Sequence, residues 1–270
     1  MLTDQKQAQG KMINSRVLQK LRSGDFVRVA TVSRVTEPWL SEVIGKLGFD
    51  AIWLDMEHRP FGYEIVPPIA LACRSTRIDL MTRILKTGYS SPMRNLESGA
   101  NGIMVPHCCS AAEARQWVEW TRFPPAGRRG FDGSGADADY MLADSLQHLE
   151  HANREVFLVL QIEDVEAVDC VEEIAATPGV DLLFVGPGDL TISYGVPMQF
   201  EHPKVQRAID RVAAAASKAG KWWGIPTRTP KAAQEALDRG ARMVTCGSDH
   251  ALLVRGFQDA IQSFGGLKVS

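Results

Sequence analysis

The chain lacks most of the devices that announce a function from composition alone. Its five cysteines among 270 residues (Cys73, Cys108, Cys109, Cys170, Cys246) are scattered, odd in number and without a CxxC pair. That pattern gives neither a disulfide framework nor a zinc-thiolate site. Lys and Arg number 30 against 32 Asp and Glu, a formal net charge of -2, and no long basic run provides the footprint of a nucleic-acid binder. No apolar stretch approaches the ~20 residues needed to span a bilayer. The opening segment MLTDQKQAQGK is polar and has no apolar signal core. No GxGxxG follows the first apolar run, so a dinucleotide-binding fold has no fingerprint here. With nucleic acid and membrane set aside as partners, the default reading is a cytoplasmic enzyme acting on small molecules.

What is present is a rhythm. Short apolar runs at 27–32, 51–55, 80–84, 102–105, 156–162, 181–185, 222–225 and 242–246 are apolar throughout rather than alternating, as strands covered on both faces should be. Helix-like stretches lie between them: Glu37 to Leu47, Ala111 to Thr121, Val165 to Ala176, Val205 to Ala219 and Lys231 to Arg239. Gly or Pro beyond the periodic residues supplies stop signals. Eight strands alternating with helices predict an α/β fold, a closed (β/α)8 TIM barrel, as one domain over residues 1–270. Residues 1–12 read as a flexible tail and 255–270 as a last helix. The segment from Pro124 to Asn153 carries a Gly-rich loop and then an extra helix, and loops of that length are usually functional.

In such a barrel the chemistry sits at the carboxyl ends of the strands. The second strand runs into Asp55-Met56-Glu57-His58, the third carries Arg83, the fifth ends in Gln161-Ile162-Glu163-Asp164, and the sixth runs into Gly186-Pro187-Gly188-Asp189. Glu163 and Asp189 are two carboxylates from neighbouring strands. Water and substrate oxygens would complete the shell of Mg2+ or Mn2+, with Co2+ as a further option. Acids also favour helix N-termini without any metal, but their company with Gln161, Arg83 and His58 favours the site. The backbone N–H groups of Gly188 and Asp189 suit a substrate carboxylate. His58 lies three residues after Asp55, a spacing that allows an Asp–His hydrogen bond fixing the imidazole for acid–base work. Arg83 in an otherwise apolar strand needs an anionic partner. A Schiff-base route would need a lysine at a strand end; only Lys86 comes near. His107 and the Asp249-His250 pair are rim-compatible but unspecific. Cys108-Cys109 has nothing beside it to activate a thiolate, and the tryptophans read as packing.

The ordered segments GFDAIWLDMEHRP, LMTRI, GANGIMVP with PPAGRRG, LVLQIEDVEAV, GVDLLFVGPGDLTISYG and ARMVTCGSD resemble the HpcH/HpaI aldolase family, the metal-dependent class II pyruvate aldolases. The resemblance implies a (β/α)8 barrel assembled as a homo-oligomer, trimer or hexamer, with C-terminal helices exchanged between subunits. It implies Glu163 and Asp189 as metal ligands, Gln161 as a neighbouring site glutamine, Arg83 as the contact to pyruvate and its enolate, and His58 with Asp55 as the acid–base dyad. Arg129 matches the arginine of the GxRG loop, and Glu97 falls where some members place an acid that reaches a neighbouring subunit's site. The reaction implied is aldol cleavage or condensation of a 4-hydroxy-2-oxo acid to pyruvate, or a close 2-oxo acid, plus an aldehyde. Oxaloacetate decarboxylation, an acyl-CoA lyase reaction and a non-catalytic 2-oxo-acid-binding barrel are the competing readings. The segments SRVTEPWLSE and GIPTRTP match less well, so the pyruvate half of the substrate is better supported than the aldehyde half.

Overall fold

A computed structural model describes residues 12–267. Eight parallel strands close into a barrel: β1 Val27–Val32, β2 Ala51–Asp55, β3 Asp79–Arg83, β4 Gly102–Val105, β5 Phe157–Ile162, β6 Leu182–Val185, β7 Trp222–Pro226 and β8 Met243–Ser248. Each expected strand is found within two residues of its expected bounds. The alternation of side chains explains why the runs are apolar throughout. On β5, Phe157 and Val159 point into the barrel with Trp53, Met81, Leu182 and Phe184. Leu158, Leu160 and Ile162 point out against the surrounding helices. Inside, the Trp53 and Phe184 rings meet edge-on with centroids 5.5 Å apart.

The amino-terminal mouth is plugged by the helix Arg16–Arg22, which sends Val17, Leu18 and Leu21 into the barrel floor. Each such side chain contributes roughly 1.5–3 kcal/mol on full burial. Ser15 caps this helix by accepting from Leu18 N–H, and its own hydroxyl donates to Asp79 Oδ2 at 2.5 Å. Asp79, at the start of β3, also accepts from the backbone N–H groups of Arg16 and Val17. Beside it, Asp50 takes Arg16, Lys20 and Arg28.

Two expectations needed adjustment. The helix expected over Val165 to Ala176 is interrupted at Cys170 (φ -118, ψ 22), giving Val165–Asp169 and Val171–Ala175. At the break the Cys170 thiol donates to Cys109 O as well as to Glu166 O of its own turn. The last helix runs over Asp249–Phe264, starting earlier than expected because the Ser248 hydroxyl accepts from Ala251 N–H as its cap. The Asp249 carboxylate leads this helix and accepts from the N–H groups of Ser33, Arg34 and Val35 in the loop after β1, at 2.7–3.1 Å. The extra helix after the Gly-rich loop is Ser145–Glu155, capped by Asp144. The flexible tail expected over 1–12 lies outside the described residues except for Met12. Among the described residues no helix is long and apolar enough to cross a membrane.

Candidate active site

The inward-facing columns change character toward the carboxyl ends of the strands. Trp53 on β2 is followed two residues on by Asp55, Met81 on β3 by Arg83, and Val159 on β5 by Gln161 and then Glu163. Asp55 and Arg83 stand in register on paired strands. Arg83 Nε and Nη2 reach Asp55 Oδ1 at 3.0 and 2.9 Å, Nη1 lies 3.1 Å from Glu57 Oε2, and the guanidinium sits 4.9 Å from the Trp53 ring centroid. The arginine is buried, and two acids and an aromatic face hold it in place.

The Asp55–His58 hydrogen bond expected from spacing is not formed through the imidazole. Asp55 Oδ1 accepts instead from the backbone N–H groups of Glu57 and His58, at 3.2 and 3.4 Å. The His58 ring is exposed, and the carboxylate near it is Glu57, with Nε2 3.7 Å from Oε2. Register across β2 and β3 gives Asp55 to Arg83, and the carboxylate shapes the His58 loop through the main chain.

Glu163 follows β5 and is buried, with Oε1 accepting from His107 N–H at 2.9 Å and Oε2 from Gln161 Nε2 at 3.3 Å. Burial pushes its carboxyl up to about 7; the His107 N–H and the charges of His107 and Arg83 oppose that rise, while Asp189 reinforces it. A cation between the two carboxylates would reverse the penalty. Asp189 lies in the first turn of the helix Pro187–Ser193 after β6, where Gly188 and Asp189 have N–H groups with no partner inside the helix. Gly186 shows how tightly Glu163 is housed, because a Cβ there would lie 2.0 Å from Glu163 Oε2. Among the described residues the buried Gln161 Oε1 has no hydrogen-bond partner, as expected of an acceptor that faces a ligand. Among the described residues no cluster of three or more His, Cys, Asp or Glu forms a complete metal cage. Two carboxylates with open positions fit a hard divalent cation that keeps water and takes substrate oxygens. The residues therefore fit such a metal.

His107, set aside in the sequence as unspecific, stands in this group. Its backbone is left-handed (φ 49), uncommon for a residue other than glycine. Its Nδ1 lies 2.9 Å from Asp164 Oδ2, and Nε2 is 3.8 Å from Glu57 Oε1. Burial would lower its pKa, but Asp164, Glu163 and Glu57 together raise it. The available signal was a polar PHCC run directly after an apolar strand. Lys86 is engaged with Glu113 at 2.6 Å and with His107 O at 2.7 Å.

Arg129 does not join this group within the chain. It is buried outside the barrel, paired with Asp137 and stacked over Phe123 with its guanidinium 4.6 Å from the ring centroid. The Gly-rich loop folds back onto the preceding helix through Arg128 N–H to Glu119 O and Arg129 N–H to Arg122 O. Glu97 lies in the field of the same arginine, and burial raises its pKa. A cavity of about 100 Å³ at the barrel's other end is lined by Arg74, Asp79, His148 and Glu155. Its acids are already engaged: Asp79 with the Arg16–Arg22 helix, and Glu155 with Ser15 N–H and Arg22.

Residues 33–256 match the sequence profile of the HpcH/HpaI aldolase/citrate lyase family. The chain is 34% identical over 238 residues to a 5-keto-4-deoxy-D-glucarate aldolase of Klebsiella pneumoniae, covering 88% of this chain and 92% of the relative. Its structure is similar to a crystal structure of an HpcH/HpaI aldolase from Desulfitobacterium hafniense, with a TM-score of 0.90 and 28% identity over 96% of this chain and 98% of the other. A similar likeness holds to an HpcH/HpaI aldolase/citrate lyase family protein from Burkholderia cenocepacia, with a TM-score of 0.86 and 32% identity over 93% of this chain and 100% of the other. With the profile spanning most of the barrel and the relatives covered nearly end to end, this chain belongs to the HpcH/HpaI aldolase/citrate lyase family.

Proposed function

We propose that this barrel is a divalent-metal-dependent aldolase that cleaves, and in reverse forms, a 4-hydroxy-2-oxo acid from pyruvate or a close 2-oxo acid and an aldehyde. The observation that carries the reading is the buried Glu163, raised in pKa beside Asp189 and flanked by the unpartnered Gln161 Oε1. Glu163 and Asp189 are the residues to hold the cation, Mg2+ or Mn2+ with Co2+ as a further option. When bound, the cation supplies Lewis-acid polarisation of the keto oxygen. Arg83, fixed by Asp55 and Glu57, offers its guanidinium to the enolate oxygen as charge develops there. Gln161 orients the 2-oxo acid, and the N–H groups of Gly188 and Asp189 receive its carboxylate. The exposed His58, on a loop shaped by Asp55, takes the proton of the C4 hydroxyl through water as the C3–C4 bond breaks. Its electrons pass into the enolate of the 2-oxo acid, and the aldehyde departs. Arg129, buried apart from this group, has its substrate role only from the sequence resemblance.

The substrate named for the Klebsiella pneumoniae relative, 5-keto-4-deoxy-D-glucarate, is the first to assay. The direct test is solvent deuterium exchange into the methyl group of pyruvate, followed by NMR with and without Mg2+ or Mn2+. Exchange that requires metal and is lost in Glu163→Gln is the expected result. Pyruvate that binds without exchanging would overturn the reading.

The same reading includes one barrel domain in the cytoplasm and a homo-oligomer. The last helix carries Leu252, Leu253, Phe257, Ile261 and Phe264 exposed, an apolar face of the kind that marks an interaction surface. Light scattering on Phe257→Asp/Ile261→Asp should give a smaller species than the parent, and an unchanged mass would remove this helix from the assembly.

A further inference from the structure

Glu163 is gripped from a direction that the metal reading does not require. The backbone of His107 is held at both of its peptide groups, its N–H donating to Glu163 Oε1 at 2.9 Å and its carbonyl accepting from Lys86 Nζ at 2.7 Å. The ring is pinned as well, with Nδ1 2.9 Å from Asp164 Oδ2. Asp164 stands at the N-cap of the helix Val165–Asp169, where an aspartate would ordinarily accept from the helix's own N–H groups. It makes no such cap bond and instead holds His107 and the Cys109 thiol, the latter at 3.3 Å. These contacts hold His107 left-handed at φ 49, the conformation in which its N–H meets Glu163.

We propose that the Asp164–His107 pair positions Glu163 so that it offers the cation a single oxygen, making the site selective for small six-coordinate cations over Ca2+. The inference rests on the reading of Glu163 as a metal ligand. Oε1 takes the short bond from the His107 N–H at 2.9 Å, whereas Oε2 has only the longer 3.3 Å contact from Gln161 Nε2, so Oε2 is the oxygen that turns to a cation. One-oxygen ligation suits Mg2+ and Mn2+, whereas Ca2+ commonly takes both oxygens of a carboxylate within a larger and more flexible shell. His107 is a positioning residue here, acting through its main chain, and its ring is the anchor that keeps the main chain in place.

The test is Mn2+ binding to the full-length protein by electron paramagnetic resonance, with Ca2+ as competitor, in the parent, Glu163→Gln, His107→Ala, Asp164→Ala and His107→Asn. Residues that orient metal ligands typically change affinity by roughly 10–100-fold. His107→Ala and Asp164→Ala should each weaken Mn2+ by about that factor and narrow the preference for Mn2+ over Ca2+, with thermal midpoints close to the parent. His107→Asn should recover most of the preference, since asparagine tolerates the left-handed conformation and can hydrogen-bond to Asp164. Asp164→Ala probes the anchor from the opposite side should His107→Ala fold poorly. Alanine variants that keep the parent's preference, in a protein where Glu163→Gln loses Mn2+, would overturn this inference alone. Mn2+ binding that ignores Glu163→Gln would overturn the metal reading beneath it.

Discussion

Both mouths of the barrel hold buried carboxylates, and they surround them differently. At the amino-terminal mouth Asp50, Asp79 and Glu155 each have all their near partners within the chain: guanidinium groups, an ammonium, a hydroxyl and backbone N–H groups. The floor beside them is apolar and closed by the Arg16–Arg22 helix. At the carboxyl-terminal mouth Glu163 is as buried as Asp79 and, like it, has an acid for a neighbour, but among the described residues Gln161 Oε1 beside it lacks a partner. Burial of an acid is therefore not what distinguishes a catalytic from a structural carboxylate here. The difference lies in what stands beside the acid: among the described residues Gln161 Oε1 is a buried acceptor left without a partner next to Glu163, whereas the acids lining the cavity at the amino-terminal end are engaged with donors of the chain, which makes that cavity a poorer place to seek the reaction.

Four measurements would break or sharpen that contrast. The largest effect should come from Arg83→Lys, which keeps the charge but loses the planar fork that spans Asp55 and Glu57. Losing an aligned donor to a developing oxyanion typically costs about 10²-fold or more in kcat, with KM much less affected. Next is Gly186→Ala, whose methyl must displace Glu163; a fall of roughly 10–100-fold in kcat/KM and in Mn2+ affinity is expected with the fold intact, and an unchanged affinity would detach Glu163 from the metal.

A stability effect with a defined pH dependence should come from Asp79→Asn at the opposite mouth. Burial pushes the Asp79 carboxyl up to about 6 from its ordinary 3.8, with Glu155 adding to the rise and Ser15, Val17 and Arg16 opposing it. The folded state therefore prefers the protonated acid. Its contribution is fully present below pH 3.8 and is lost as pH rises through about 6, an effect on the order of 3 kcal/mol. Urea midpoints should fall for the parent relative to Asp79→Asn between pH 4 and pH 7, while kcat at saturating metal stays equal; parallel profiles would show that Asp79 does not titrate in that window. The smallest effect belongs to Gly188→Ala, where a Cβ meets nothing within 4 Å, so activity should stay within about twofold.

Most of the architecture could be read from the sequence because a strand covered on both faces leaves a continuous apolar run, and eight such runs separated by helices admit few arrangements. The rim could be read for a related reason, since Asp55, Arg83, Gln161 and Glu163 are polar residues at the ends of otherwise apolar strands. What could not be read was which of them touch. A three-residue spacing brings His58 near Asp55 along the chain, but the register of β2 against β3 is non-local, and it assigns Asp55 to Arg83. That Arg129 lies apart from this group within the chain could not be read, because its motif carries no record of the loop folding back over its own helix. His107 reads from the sequence only as rim-compatible because glycine is the usual signpost of a left-handed residue, and here the conformation is held by distant contacts to Asp164, Lys86 and Glu163.

The bond from Asp249 to the loop after β1 has a mechanical meaning. One carboxylate joins the first unit of the ring to the last, and it stands at the root of the helix whose outer face is apolar and uncovered. Anything that grasps and tilts that helix pulls on Ser33, Arg34 and Val35 at the lip of the barrel. Docking of a neighbour on the outside would thus be felt as a change in the shape of the entrance, transmitted through a lever one side chain long.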